Sequence, residues 1–334
     1  MKLNLRNVLV FTFFGFAISS CDRPGADESV APEIATEIIA FKGERVVVPA
    51  NFPKELFGQT QEEFDNYYER LSQIKHAKTS GEYAGITYEE LLPILVKHNA
   101  NYPVITSEEG ILEKDLERVF RDFPDIETHE EANEKRGLIY DYYQTLCKRD
   151  VVAEVIALER LRNARTAGPS PGSLTTPEKN HLLLNPGYAQ HYIQAANDVN
   201  FLTPNIYNND KDGNNANAFK HSTWNALSIR YILKGSPASE NQAVDFTQDG
   251  TSKHEMNDDG SQNQIKIVAM DLHNNMSARE WMANETSWGF GPFRKIPSVD
   301  DIIATMITKA NSSAVHPLID ILNLAWREQS DNLE

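Results

Sequence analysis

The sequence predicts an all-α protein with two helical domains behind a short N-terminal leader. T-x-x-E sequences recur in the first half, where a Thr and a Glu three residues later cap a helix start. Apolar residues follow them at intervals of three and four, the spacing of a buried helix face. A segment rich in Pro, Gly and Ser separates this half from a second series of helical patterns. We therefore expect an N-terminal helical domain over residues 46–165, a linker over 166–175 and a C-terminal helical domain over 176–330.

The first 21 residues have the pattern of a bacterial secretion signal. Lys2 and Arg6 precede an almost entirely apolar stretch, residues 8–18, which is too short to cross a membrane as a helix. It runs into the sequence Ile-Ser-Ser-Cys, which ends at Cys21 and resembles a lipobox, the motif in which the Cys receives a lipid. An ordinary cleavage site with a chance Cys is the alternative interpretation.

The lipobox interpretation predicts how the protein is held in the cell envelope. Residues 1–20 are then a lipoprotein signal peptide, and the lipid on Cys21 anchors the chain to a membrane that it does not span. Residues 21–45 begin with a polar, Pro-containing stretch, so we expect a flexible tether. The sequence leaves open whether the inner or the outer membrane is the target.

The charge balance excludes one class of partner. The chain has 32 Lys and Arg against 48 Asp and Glu, a formal net charge of −16. Cleavage after residue 20 removes two cations and no acid, which makes the net charge −18. Nucleic-acid binding needs basic patches that displace counterions, so we expect no nucleic-acid partner. Cys147 is the only other Cys, and no disulfide can form within a chain whose Cys21 carries a lipid.

The N-terminal domain is predicted from repeated capping boxes. In each, the Thr hydroxyl and the Glu carboxylate satisfy backbone N–H groups that the first helical turn leaves unpaired. The boxes are Thr60/Glu63, Thr87/Glu90, Thr106/Glu109 and Thr128/Glu131. Four helices with short connections predict a compact bundle, and nothing in this half has a catalytic pattern.

The C-terminal domain begins with another capping pattern, Thr175 followed by Glu178, with Pro177 in the first turn. Apolar periodicity predicts that this domain is also mostly helical. The predicted helices cover residues 176–185, 186–200, 216–234, 237–248, 263–283 and 298–327.

Three polar motifs interrupt this helical sequence. The first runs over residues 217–226 with the sequence NAFKHSTWNA, and the second is His254-Glu255. The third runs over residues 270–275 with the sequence MDLHNN and is followed by Arg279. They place imidazole, carboxylate and carboxamide groups where helices usually carry Leu or Ala. Because buried polar groups need partners, such clusters indicate either a functional site or a polar core network.

These motifs, preceded by Glu178, Leu182-Leu183 and Asn185-Pro186, resemble in order and spacing a bacterial family catalogued as domain of unknown function 6973. The resemblance covers residues 175–285 and implies a helical fold, but no reaction, because the family has no established activity. This chain departs from the family pattern at Asn217, where Asp is frequent, and at Ala278, where Gly is frequent. The missing carboxylate at residue 217 argues against a ligand role for that position.

Helical spacing predicts a site from the three motifs. His221 and Asn225 share one helix face, and Asp271 shares another with Asn274 and Asn275. The predicted catalytic set is His221, Asn225, His254, Glu255, Asp271, Asn274 and Asn275.

Two kinds of function remain open for this set. In a hydrolase, His221, His254 and Asp271 supply three ligands to a divalent metal with an open position for water. Glu255 is then the general base, and the three Asn residues donate hydrogen bonds to a developing oxyanion. In a non-catalytic binding or scaffold protein, the same residues form a structural hydrogen-bond network. The substrate and any protein partner stay unknown.

One loop has a weaker cation-binding pattern. Asn208, Asp210 and Asp212 are spaced like the first ligands of a calcium loop, and Gly213 follows them. Phe219 stands where such a loop has its closing Glu. A weak Ca²⁺ site at Asp210 and Asp212 and an ordinary polar loop are both compatible with this pattern.

Overall fold

Helices make up almost all of the regular structure, so the predicted all-α class is confirmed. The computed structural model describes residues 35–72, 85–163, 174–209, 214–255, 262–286 and 295–312. Cys21, the signal peptide and the tether as far as residue 34 lie outside the described residues, as do Asp210 and Asp212. The described residues contain eleven α-helices, none of which combines the length and hydropathy needed to span a membrane.

The helices follow the predicted positions closely in the C-terminal half. In chain order, the helices are α1 (Gln61–Ser72), α2 (Tyr88–Asn99), α3 (Glu113–Asp122), α4 (His129–Glu134), α5 (Arg136–Asn163), α6 (Thr176–Leu184), α7 (Pro186–Tyr207), α8 (Asn215–Gly235), α9 (Glu240–His254), α10 (Gln262–Thr286) and α11 (Val299–Asn311).

A two-stranded antiparallel hairpin precedes the helices. Strand β1 (Thr36–Phe41) pairs with β2 (Glu44–Pro49) through a turn at Lys42 and Gly43, whose φ angles of 48° and 91° suit a tight hairpin turn. The hairpin starts inside the segment predicted as tether. Alternate residues of β2 are buried against the helices, so apolar packing orders this part of the chain.

Three of the four predicted capping boxes are present in the N-terminal half. At Thr60, Thr87 and Thr128, the Glu three residues later accepts a hydrogen bond from the Thr backbone N–H. Helices α1, α2 and α4 begin directly after these residues. The local sequence therefore determines where these three helices start.

The prediction of a helix start at Thr106 is wrong. Thr106 ends the short strand β3 (Ile105–Thr106), which pairs with β4 (Gly110–Ile111). The Thr106 hydroxyl accepts from the N–H of Glu109 at 3.0 Å, but the chain then turns at Gly110 with φ of 68°. A Cβ at Gly110 would lie 2.2 Å from Oδ1 of Asn133. This close approach favours the turn, and α3 begins only at Glu113.

The two halves of the chain share one hydrophobic core. Helix α1 packs against α6, and α2 packs against α7, across the predicted linker. The described residues from Thr36 onward belong to one compact unit. Where the two halves meet, Lys179 forms a buried ion pair with Glu159 at 2.8 Å. The hydroxyl of Tyr68 donates a hydrogen bond to the same Glu159 at 2.7 Å. Independent folding of residues 176–330 stays a prediction.

Candidate functional site

Helix α8 is the central helix of the C-terminal half and carries the first polar motif. It packs against α7, α9, α10 and α11, and it is buried on most of its circumference. The side chain of Asn214 accepts hydrogen bonds from the N–H groups of Ala216 and Asn217 and so fixes the helix start. Asn217, His221 and Asn225 follow at four-residue intervals and are all buried. The motif therefore lies in the protein interior, where each polar group needs a partner.

Three ionisable side chains from separate segments meet beside α8. They are His221, Glu255, which is the C-cap residue of α9, and Asp271 of α10. One potential ligand atom of each lies within 4.8 Å of the other two. Nδ1 of His221 is 3.3 Å from Oε1 of Glu255, and Nε2 is 3.5 Å from Oδ1 of Asp271. The imidazole thus has a carboxylate at each of its nitrogens.

The surroundings keep this imidazole neutral. Burial lowers the pKa of His221 to about 3, and the charges of His254 and Lys220 act in the same direction. The side chains of His221, Glu255 and Asp271 are 9%, 11% and 5% exposed, respectively. A neutral imidazole between two carboxyl groups in a poorly solvated place is the combination that binds a metal cation well, because each group offers a lone pair.

A hydrogen-bond network built on Asn225 ties the three helices together. Its Nδ2 donates to the carbonyl of His221 at 3.0 Å and to Oδ1 of Asn275 at 2.6 Å. Its Oδ1 accepts from Arg279 at 3.0 Å and from Thr251 at 3.3 Å. Burial lowers the pKa of Arg279 to about 10, so the guanidinium stays charged near neutral pH. This network fixes how α8, α9 and α10 pack around the cluster.

His254 belongs to a neighbouring cluster instead. Its Nδ1 lies 3.2 Å from both carboxylate oxygens of Glu178, which is fully buried. The hydroxyl of Tyr88 also donates to Glu178, and Tyr192 donates to it at 3.5 Å. Burial by itself lowers the pKa of His254, but the charge and hydrogen bond of Glu178 outweigh it and raise the pKa above its ordinary value.

The ring of His254 is oriented by aromatic contacts and faces a small pocket. It stacks on Tyr88 with ring centroids 6.4 Å apart and meets the edge of Trp224 at 5.1 Å. The pocket of about 70 Å³ is lined by these two residues and by Lys220, Asn200, Ala196 and Val199. The side chain of His254 is 39% exposed, so a small molecule in the pocket can reach it.

Glu178 is a site residue that sequence reasoning missed. The sequence assigns it to a helix cap with Thr175, and Thr175 does accept from its backbone N–H at 3.0 Å. The carboxylate, however, turns inward to Tyr88 and His254 instead of returning to the cap. Nothing local distinguishes Glu178 from the capping Glu residues, because these partners are 90 and 76 residues away in the chain.

The predicted site residues are therefore arranged in two adjoining groups. In the first group, His221, Glu255 and Asp271 meet, with Asn225 and Asn275 hydrogen-bonded next to them. His254 belongs to the second group, with Glu178. Asn274 is half-buried on the same helix as Asp271. The Nδ2 atoms of Asn274 and Asn275 are buried and donate to no acceptor within the described part of the chain. The structure places Glu255 beside His221 and Asp271, in the position that the sequence prediction assigned to His254.

Comparison with known proteins identifies the region that contains this site. The family described as Domain of unknown function (DUF6973) matches residues 179–314. That match contains all three polar motifs, and Glu178 and Tyr88 precede it. No curated protein and no solved structure showed significant similarity to the chain.

Proposed function

We propose that the C-terminal region is a metal-dependent hydrolase whose divalent cation is held by His221 and Asp271, with Glu255 orienting the imidazole. The observation that carries this proposal is the meeting of one imidazole and two carboxylates from three segments within 4.8 Å. Both carboxylates lie against a neutral imidazole, and these groups together favour a cation at this position.

The two ring nitrogens suggest different roles for the two carboxylates. Metal-binding histidines usually present one nitrogen to the metal and the other to a carboxylate that fixes the ring. Nδ1 of His221 is fully buried next to Glu255, whereas Nε2 faces Asp271. We therefore assign Nε2 and Asp271 to the cation. Glu255, at the other ring nitrogen, orients the imidazole.

The donor set limits the choice of cation and of chemistry. One imidazole nitrogen with carboxylate oxygens and no thiolate suits Zn²⁺ or Mn²⁺ better than softer ions. In a site of this kind the cation supplies an activated water and polarises the bond to be cleaved. The Nδ2 groups of Asn274 and Asn275 are available to donate to a developing oxyanion.

His254 completes the proposed machinery as a proton-transfer group. The carboxylate of Glu178 holds its Nδ1, which leaves Nε2 for a substrate in the adjoining pocket. This is the arrangement in which a buried carboxylate fixes the tautomer of a catalytic imidazole. His254 is adjacent in sequence to Glu255, so the end of α9 connects the pocket to the cation site.

Metal analysis tests the proposal directly. The full-length protein, stripped with a chelator and dialysed against Zn²⁺ or Mn²⁺, is expected to retain about one cation per chain. The reloaded protein is then assayed with p-nitrophenyl acetate and bis(p-nitrophenyl) phosphate. Failure to retain either cation would exclude the metal centre, and cation binding without hydrolysis of either compound would reduce the proposal to a metal-binding function.

A non-catalytic role is the second candidate, and the Asn225 network favours it. All four hydrogen bonds of this carboxamide are made inside the protein, to residues of three helices. Such a network specifies how helices pack without any chemistry. In that case the cluster supports a binding or scaffold function of the surrounding surface.

For the location, we propose a lipoprotein anchored in the cell envelope through Cys21. The support is the apolar stretch of residues 8–18 and the Ile-Ser-Ser-Cys sequence that follows it. The acidic balance of the chain does not favour electrostatic adhesion to anionic lipid, so the lipid itself would provide the attachment.

A further inference from the structure

A second and larger cavity lies far from these motifs in the sequence. It has a volume of about 200 Å³ and lies between the β1–β2 hairpin, helix α5 and the α6–α7 junction. It shares no lining residue with the pocket beside His254. Its volume equals that of about six water molecules, which is enough for a small organic ligand.

One face of α5 gives this cavity a polar wall. Asp141, Gln144, Thr145 and Lys148 all line it, and their spacing places them on the same side of the helix. Thr145 and Lys148 on this face are buried, whereas the side chain of Asp141 is 36% exposed. Because buried polar groups need partners, the buried part of this polar stripe is a candidate ligand-binding surface.

Lys148 is the most unusual member of this wall. It is only 5% exposed; its Nζ donates one long hydrogen bond of 3.4 Å to the carbonyl of Leu56 and lies 6.0 Å from the centre of the Phe64 ring. Within the described part of the chain, no carboxylate forms an ion pair with it. Burial lowers the pKa of Lys148 to about 8, against the opposing charge of Asp141, so the ammonium form still predominates at neutral pH. A buried ammonium without a carboxylate partner is costly unless a ligand supplies the negative charge.

The other charged groups around the cavity do not supply a negative charge to Lys148. Lys42 also lines it, and it forms an ion pair with Asp141. The phenols of Tyr140 and Tyr188 stay neutral, because burial raises the pKa of each. The formal charge of the lining is therefore +1 in a strongly acidic protein, and it is carried by Lys148.

The first turn of α7 borders the same space. Gly187 lies so close to the opposite wall that a Cβ would meet the Tyr140 hydroxyl at 2.2 Å and Oε1 of Gln144 at 2.5 Å. The absence of a side chain thus lets the N-terminal end of a 22-residue helix approach the cavity. Pro186 has no N–H, and the last turn of α6 ends at the same place, so the helix dipoles contribute little to anion binding and the charge of Lys148 provides it.

Two carboxamides indicate what else the ligand carries. Oε1 of Gln59 and Oε1 of Gln144 are buried, and neither accepts a hydrogen bond from the described residues. Both side chains line the cavity. Acceptors of this kind are satisfied by a ligand that bears hydroxyl groups.

We infer that this cavity binds a small hydroxylated carboxylate, whose carboxylate pairs with Lys148 and whose hydroxyl groups hydrogen-bond to Gln59 and Gln144. The site is separate from the proposed hydrolase centre and does not depend on it. The same three residues predict weaker binding of a simple carboxylate without hydroxyl groups.

Calorimetric titration of the full-length protein in detergent at pH 7 tests this site. The probes are acetate, lactate and gluconate, each compared with the alcohol in which CH₂OH replaces the carboxylate: ethanol, propane-1,2-diol and glucitol. Inorganic phosphate is the fourth anion. We expect gluconate or lactate to bind saturably, their alcohols not to bind, and Lys148→Met to weaken binding by about tenfold or more. Lys54→Met, an exposed ion-paired lysine, is the matched control and should change nothing.

Three results would overturn the inference. These are equal binding of the carboxylates and their alcohols, full binding by Lys148→Met, and tighter binding of phosphate than of every carboxylate. If none of the carboxylates binds, the inference is overturned as well. If Lys148→Met fails to fold, the wild-type protein decides, because its affinity for the carboxylate must fall as the pH rises through 8 and Lys148 loses its proton. An affinity that is constant between pH 7 and 9 would contradict the role of Lys148.

Discussion

Nδ1 of His254 lies 3.2 Å from both carboxylate oxygens of Glu178, although 76 residues separate them in the chain. The pair joins the end of α9 to the start of α6, and Glu178 also accepts a hydrogen bond from the hydroxyl of Tyr88 in α2. We predict a measurable energetic coupling between the two side chains.

A double-mutant cycle with Glu178→Gln and His254→Gln should give a coupling of about 1–3 kcal/mol, because the carboxylate is buried and hydrogen-bonded. The measurement is the free energy of unfolding of the four proteins in urea. The control is the exposed pair of Arg70 and Glu55, for which the coupling should stay under about 1 kcal/mol. Equal coupling of both pairs would show that Glu178 does not hold His254.

The two carboxylates beside His221 should differ in their effect on metal binding. Asp271→Asn is expected to abolish retention of Zn²⁺ or Mn²⁺, because it removes a ligand oxygen that carries charge. Glu255→Gln should weaken affinity by about 10–100-fold, the usual effect of losing a carboxylate that orients a ligand imidazole. Competition titration against a chromogenic chelator measures both. The reverse order of effects would move the cation to the Nδ1 side of the ring.

Asn225→Ala should be one of the most destabilising single changes in the C-terminal half. It removes four hydrogen bonds and leaves the buried Arg279 guanidinium with fewer acceptors. The expected loss is about 2–4 kcal/mol in the free energy of unfolding. Asn205→Ala, on the exposed surface of α7, removes one local hydrogen bond and should cost less than about 0.5 kcal/mol. A loss at Asn225 no larger than at Asn205 would rule out the network as a packing determinant.

Lys148→Met should stabilise the ligand-free protein at pH 7. The pKa of Lys148 is lower in the folded chain than in the unfolded chain, so its proton binds more tightly to the unfolded state. The cost is fully present below pH 8 and disappears as the pH rises from about 8 to above 10. The gain from the substitution is on the order of 3 kcal/mol at pH 7 and should shrink over that interval. Urea unfolding at pH 7 and pH 10, in buffers without carboxylate, measures the difference, and a gain that does not depend on pH would contradict this explanation.

Cys21→Ala tests the anchor. Without the thiol no lipid can be attached, so the variant should leave the membrane fraction and show altered electrophoretic mobility. The control is Cys147→Ala, because Cys147 is buried and burial raises the pKa of its thiol to about 12, which makes it unreactive. If Cys21→Ala stays in the membrane fraction with unchanged mobility, the lipobox interpretation fails.

Local sequence signals predicted the helices well, because caps and apolar spacing act within a few residues. Thr60, Thr87 and Thr128 start helices as expected, and α6, α8 and α10 lie within three residues of their predicted bounds. Helices α7 and α9 continue seven and six residues past their predicted ends at residues 200 and 248. The failure at Thr106 has a cause outside the T-x-x-E pattern, namely the glycine that follows Glu109 and the Asn133 side chain, from a later helix, that packs against it. Tertiary contact decided that segment.

The candidate site was only partly predictable. Spacing on one helix places His221 with Asn225 and Asp271 with Asn275, and the structure joins these pairs across α8 and α10. Spacing cannot say which of the adjacent residues His254 and Glu255 faces the cluster, because that depends on where α9 ends. The polar face of α5 around Lys148 was missed as well, because its neighbours on that face include long side chains common on exposed helices.

The position of Tyr88 has a consequence for how the pocket beside His254 is assembled. Tyr88 lies in the N-terminal half, outside the family match, yet its ring stacks on His254 and its hydroxyl meets Glu178. A chain limited to residues 179–314 would keep His254 but lose Tyr88 and Glu178, the two side chains that hold its ring. The pocket beside His254 therefore depends on both halves of this chain, and a change at residue 88 alters the surroundings of residue 254.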